Sequence, residues 1–146
     1  TLKKGPRAIR QDLKKKGIDK SLQDEVLESF TYEEQLAIAM QLAEKEVRAG
    51  NRKTPTQVKQ KIQDVLMRKG YSFSIVSDVL ERIQLEREED EWADMIAAQG
   101  EKIWRKFAAK FSGTERNMKV KQALYQKGFP IEIINRFIEE KEHEEV

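Results

Sequence analysis

The side chains whose type and spacing could do chemistry in this chain are cations. Residues 1–16 hold seven Lys and Arg against one acid, residues 45–69 eight against two, and residues 102–127 eight against one. The intervening segments are acidic: 17–44 hold one base against seven acids, 70–101 two against nine, and 128–146 two against six. Clusters of this kind recognise anions, either a phosphate backbone or an acidic protein surface. The candidates are Lys3, Lys4, Arg7, Arg10 and Lys14 in the first cluster. The second holds Lys45, Arg48, Arg52, Lys53, Lys59, Lys61 and Arg68, and the third Lys102, Arg105, Lys106, Lys110, Arg116, Lys119 and Lys121. Two aromatics lie among the third set. Trp104 is flanked by Lys102, Arg105 and Lys106, and Tyr125 stands where the other copies of a repeat place Lys14 and Met67. Both are candidates for stacking on a nucleobase. Against a binding role, Lys16, Lys69 and Lys127 close helices, where a cation also stabilises the macrodipole.

Other chemistry finds little support. His143 is the only histidine and sits in the charged run Glu139 to Glu145, with no partner for acid–base work. The acids between Glu86 and Glu91 read as one solvated helical face, since successive acids on a helix diverge and lack the loop geometry of calcium ligands. The serines have no histidine to activate them. No cysteine is present, so disulfides and thiolate metal sites are excluded, as fits a reducing cytoplasm. No cofactor is implied, and the chain reads as a binding protein, not an enzyme.

The elements that must position the cations form a repeat. Lys16-Gly17-Ile18, Lys69-Gly70-Tyr71 and Lys127-Gly128-Phe129 anchor three copies. Ile9, Ile62 and Val120 align, as do Leu13, Leu66 and Leu124. Beyond the glycine, Leu22, Ile75 and Ile133 match, then Val26, Val79 and Phe137, then Leu27, Leu80 and Ile138. Units of this size bury their apolar faces only by stacking on neighbours. In each copy a first helix ends at the glycine, which suits a left-handed C-terminal position. Gly5-Pro6 and Thr54-Pro55 mark the starts of two of these helices. Asp19, Ser72 and Pro130 precede a second helix, and the first two can cap it. A third helix carries Tyr32, Leu36, Ala39, Met40, Ala43 and Val47 in one copy and Trp92, Ile96, Ile103, Phe107 and Phe111 in the next.

The expected fold is therefore all-α: tandem three-helix repeats forming an elongated, curved stack. The expected boundaries are 1–52, 53–111 with a longer third helix, and a two-helix partial repeat at 112–146. Breaks fall at Ala49-Gly50-Asn51 and Ser112-Gly113-Thr114. The 146 residues are 37% charged and 38% hydrophobic, with a net charge of +2, and contain no apolar run long enough to span a membrane. If repeats stack regularly, the cations of equivalent segments line up on one side as a basic track.

The stretch Lys4-Gly5-Pro6-Arg7-Ala8-Ile9-Arg10-Gln11-Asp12-Leu13, followed by Lys16-Gly17-Ile18, resembles the RecX family of recombinase regulators. The recurrences Ile62, Leu66, Lys69-Gly70-Tyr71 and Val120, Leu124, Lys127-Gly128-Phe129 carry the resemblance along essentially the whole chain. It implies tandem three-helix repeats that bind the RecA–DNA filament in its groove. It also implies suppression of ATPase, co-protease and strand-exchange activities in DNA repair, recombination and the SOS response, with direct binding of single- or double-stranded DNA by some members. A cytoplasmic monomer is implied, here the C-terminal part of a longer member. The alternatives are a helical module that binds DNA independently of recombinase, and a generic helical interaction scaffold.

Overall fold

Each Lys-Gly pair ends a helix in the same way. In the computed structural model, which describes residues 3–144, Gly17, Gly70 and Gly128 have φ of +77°, +93° and +101°. Two backbone bonds close each turn, Gly17 N–H to Lys14 and Ile18 N–H to Leu13 in the first copy. The same pair recurs as Gly70 to Met67 with Tyr71 to Leu66, and as Gly128 to Tyr125 with Phe129 to Leu124. This is the Schellman arrangement expected of a glycine at C′.

The helices are α1 (Pro6–Lys15), α2 (Lys20–Glu28), α3 (Tyr32–Ala49), α4 (Pro55–Arg68), α5 (Phe73–Arg82), α6 (Glu89–Ala108), α7 (Gly113–Gln126) and α8 (Ile131–Glu144). Among the described residues there is no strand, so the chain is all-α. Caps fix the starts. The Asp19 carboxylate accepts from Leu22 N–H, and Ser72 Oγ accepts from Ile75 N–H. Thr54 and Gln57 cap each other reciprocally, side chain to backbone in both directions. The acidic run behaves differently from the expected solvated face. Residues 83–88 are not helical, Glu88 and Glu91 form a capping box, and Glu89, Asp90 and Glu91 make the first turn of α6. Negative charge at that end is stabilised by the helix dipole, so these acids start a helix instead of coating one.

Packing sorts the chain into two compact units, which cross the boundaries expected from the repeat. One comprises the residues up to Ala49 together with Val58–Gln84; the other comprises Gly50–Gln57 and Leu85 onwards. In the first, α3 packs on α5 and α1 on α2. Its core is Ala39, Ala43, Val58, Ile62, Leu66, Tyr71, Ile75, Val76 and Val79. In the second, α6, α7 and α8 pack pairwise around Met95, Ile96, Ile103, Trp104, Val120, Leu124, Phe129, Ile133, Ile134, Phe137 and Ile138. The long helix thus groups with the two that follow it, as α6 with α7 and α8. The expected division at 52/53 and 111/112 keeps the copies in sequence register but separates helices that bury one another.

Trp104 is a correction to the expected site. It is 7% exposed, meets Phe137 edge-to-face at 6.4 Å between centroids, and has the Arg116 guanidinium 4.3 Å from its ring centroid. Its flanking cations are exposed while the indole faces the core, because helical neighbours point around the axis in different directions. It offers no face to a base. Trp104→Ala therefore costs about 3–5 kcal/mol of unfolding free energy, read as a lower urea midpoint. An unchanged midpoint would place the indole outside the core.

Candidate partner-binding surface

In the first unit, three separated segments bring cations together. Lys45 and Arg48, on the last turns of α3, line one hollow with Lys3, Lys69 and the side chains of Gln41, Leu42 and Glu44. Lys4 joins Lys61 and Arg68 of α4, and Lys69 just after it, in a second hollow, with Ala8, Val65 and Glu46. Lys69 belongs to both. Each hollow is an open depression of about 500 Å3. Lys3, Lys45, Arg48, Lys61 and Arg68 are exposed, so they keep hydration and mobility that an anionic partner can replace.

What holds this arrangement is the seating of α1 on the turn that ends α4. Gly5 N–H donates to the Lys69 carbonyl at 2.6 Å and Arg7 N–H to the Gly70 carbonyl at 3.0 Å. The Tyr71 hydroxyl donates to the Lys3 carbonyl at 2.8 Å, and burial pushes that phenol up to about 12. A Cβ added to Gly70 would lie 2.5 Å from Ala8 N. The chain direction at Lys3 and Lys4 is set by these bonds, which places their side chains beside those of α3 and α4.

Other expected cations serve the unit's own structure. Arg7 donates to the Met67 carbonyl at 2.6 Å. Arg10 reaches Gln23 and Asp24. Lys4 pairs with Asp12 at 2.6 Å and, through that hydrogen bond, holds the Asp12 carboxyl below its ordinary value. Such partly exposed pairs contribute little net stability, but they occupy the cation. Lys14 and Lys59 are exposed and line neither hollow.

The second unit has its own cations. Lys102, Arg105, Lys106 and Lys110 are exposed along the last turns of α6 and just beyond, with Arg105 paired to Glu101 at 3.4 Å. Glu101 also accepts from Lys141; that hydrogen bond holds the Glu101 carboxyl down and the Lys141 ammonium up. Arg52 lines a hollow with the acids Glu91 and Asp94, so part of its charge is answered locally. Lys53 contributes its carbonyl, which with that of Gly50 accepts from the Arg87 guanidinium. Lys119 stands over the Phe111 ring at 4.7 Å and, with Lys121, borders a groove containing Met118, Tyr125 and Ile131. Tyr125 is 66% exposed and keeps its face available.

Arg116 is a second correction. It is 6% exposed, its side chain lies on Trp104, and its Nε donates to Asn117. A buried cation needs such partners, and it cannot also sit on an outside surface. Arg87 was given no role in the sequence, and Tyr32, expected on the apolar stripe of its helix, is 41% exposed. Tyr32 hydrogen-bonds to Asp78, and no spacing rule signals either contact. Among the described residues no group of three or more His, Cys, Asp or Glu could hold a metal ion, and no helix is long and apolar enough to cross a membrane.

Comparison with known proteins places this geometry in a family. A model described as "RecX, third three-helix domain" matches residues 33–80 and again 89–138. One described as "RecX, second three-helix domain" matches residues 1–27. A protein named Regulatory protein RecX from Bacillus licheniformis is 37% identical over 139 residues, 94% of this chain and 52% of the relative. The Bacillus subtilis protein of that name is 35% identical over 141 residues, 96% and 53%. That of Enterococcus faecalis is 37% identical over 144 residues, 99% and 54%. The chain spans about half the length of the curated relatives it matches. No solved structure matches it. Both matches to the third domain begin at a long helix and take in the two that follow, in step with the packing of α6, α7 and α8.

Proposed function

The chain belongs to the RecX family, and from that premise we propose that it binds the RecA recombinase–DNA filament and suppresses its ATPase and strand-exchange activities. It acts as a regulator, by occupying a surface, and performs no chemistry of its own. The observation that carries the reading is the convergence of cations from just before α1, from the end of α3 and from α4 and the turn after it on two adjoining hollows. A filament of recombinase on DNA presents both phosphate and acidic protein groups, and either answers such a surface. The setting is the cytoplasm, in DNA repair, recombination and the SOS response, with the chain acting as a monomer.

A second reading, direct binding of single- or double-stranded DNA, is favoured by Tyr125. Its exposed ring stands beside Lys121 in a groove of about 720 Å3, and base stacking on an aromatic contributes roughly 1–3 kcal/mol per base. Tyr125→Ala separates the two. It weakens binding to naked single-stranded DNA by tenfold or more if the second reading holds, and leaves binding to a RecA-coated strand within about twofold if the first does. A large loss on the coated strand alone would contradict both assignments.

A further inference from the structure

One buried side chain in the first unit carries more than its packing needs. Tyr71 and Phe129 hold equivalent places after their Lys-Gly turns, 0% and 1% exposed, with backbone N–H groups bonded to Leu66 and Leu124. A plain phenyl ring fills such a place, as Phe129 does against Trp92 at 5.8 Å between centroids. The Tyr71 hydroxyl is not needed for that role, and burying it costs free energy unless it is bonded. Its acceptor is the Lys3 carbonyl, at 2.8 Å. Burial keeps the phenol protonated well above neutral pH, so it stays a donor.

The residue it holds is strained. Lys3 has φ +51° and is the only non-glycine residue with positive φ among the described residues. A side chain is disfavoured there, and such a conformation persists only where its surroundings impose it. The bonds from Gly5 N–H to the Lys69 carbonyl and from Arg7 N–H to the Gly70 carbonyl fix the chain from Gly5 onward. Gly5 lies so close to that turn that a Cβ would stand 2.5 Å from the Gly70 carbonyl carbon. Lys4 is tied by its side chain to Asp12. Lys3 lies beyond these anchors, and the Tyr71 hydroxyl is what reaches it.

Fixing Lys3 brings the fold little. Its side chain is exposed and lines the hollow with Lys45, Arg48 and Lys69, four cations against the one acid Glu44. Like charges gathered in this way repel one another, and a lysine ordered in advance gives up rotamer freedom. An entering anion reverses both effects. It relieves the repulsion, and a cation already in place has less freedom left to lose on binding.

We propose that Tyr71 is a positioning residue of this hollow, its hydroxyl fixing the Lys3 backbone so that the Lys3 ammonium stands beside Lys45 and Arg48 for an oxyanion of the partner. The inference rests on the reading of the hollow as a binding surface and requires no particular partner, since phosphate and carboxylate both present oxyanions.

The test takes inorganic polyphosphate as its probe, an anion that needs neither recombinase nor bases. Tyr71→Phe keeps the fold, as Phe129 does in its copy, and binds polyphosphate about threefold or more weakly at low salt. Lys3→Gln weakens binding to a similar extent. The double variant is weaker than the worse single one by no more than about 1.5-fold, because both changes remove the same contact. NMR relaxation of the backbone amides reads the cause: the order parameter at Lys3 is about 0.85 in the unsubstituted chain and falls below about 0.6 in Tyr71→Phe, with Arg7 unchanged. A hydroxyl that serves stability alone lowers Tm and leaves affinity and Lys3 order as they were, and that result overturns the proposal. So does an equal loss from Tyr71→Phe with Lys3 present or replaced. Unchanged affinity in Lys3→Gln also overturns it, and that variant touches no core position. A chain that meets these expectations yet fails to bind the RecA filament would refute the proposed function and leave this inference standing. A chain that binds the filament while Tyr71→Phe moves neither affinity nor Lys3 order would do the reverse.

Discussion

Gly70→Val lowers the melting temperature by roughly 10 °C or more, the largest effect expected of any single substitution at a Lys-Gly turn. Two costs add. A β-branched residue at φ +93° is strained by about 1–2 kcal/mol. The new side chain also meets the backbone and Cβ of Ala8, at 2.5 and 2.8 Å from the added Cβ, and overpacking of this kind costs about 1–3 kcal/mol more. Backbone cannot yield as a flexible side-chain end can, so the start of α1 is displaced. Gly17→Val isolates the first cost, since nothing lies within 4 Å of its Cβ, and it lowers Tm by less than half as much. Equal losses at the two sites would show that strain alone acts and that the seating of α1 on the α4 turn contributes nothing.

Replacing Lys45, Arg48, Lys61 and Arg68 together by Glu weakens binding to a RecA–DNA filament by on the order of 100-fold at low salt, with helicity and Tm retained. All four are exposed and line the two hollows of the first unit, so the substitutions empty no core position. The salt dependence then identifies the anion. Phosphate contacts give a logarithmic slope of about −0.9 per contact on duplex and −0.7 on single strands; acidic protein groups give a shallower one, expressed mainly in the association rate. Reversing Glu25, Glu81, Glu139 and Glu142, exposed acids that line neither hollow, is the control and changes affinity by less than about threefold. Comparable losses from both sets would mean that overall charge, and not these hollows, drives association.

Much of the fold could be read from residue types because local chemistry decides it. Glycine in a left-handed turn, Asp19 and Ser72 as caps, and the Thr54-Pro55 start each act within a few residues, and all three glycine turns have the expected form. The grouping of the helices was less legible for a physical reason. In a repeat of three helices, any cyclic starting point fits the periodicity equally well, and only packing shows that α6 belongs with α7 and α8. Leu22 and Val26 match buried positions in the other copies yet are exposed, since a pattern records what a residue is suited to meet and not whether it is met.

The candidate surface was legible in part. Clustering along the chain brought Lys45 and Arg48 to attention together, but their approach to Lys3 and Lys69 depends on the seating of α1, which no local signal encodes. Trp104 and Arg116 misled because each is flanked by exposed charge, while a guanidinium over an indole can be buried as a pair. Gly100 was silent in the sequence: it sits within α6, where a Cβ would lie 2.7 Å from the Phe137 ring, and its role emerges only once α8 is in place.

The central claim is that this chain recognises a recombinase filament and holds it inactive. The most direct measurement titrates the chain into RecA assembled on single-stranded DNA and follows ATP hydrolysis alongside binding, with the same DNA uncoated as the comparison at matched salt. The account predicts that hydrolysis falls as the chain binds, that the filament is bound at least about tenfold more tightly than naked DNA, and that the four-residue Glu variant loses both effects together. Undiminished hydrolysis with the chain bound to the filament, or equal affinity for coated and naked DNA, would contradict it.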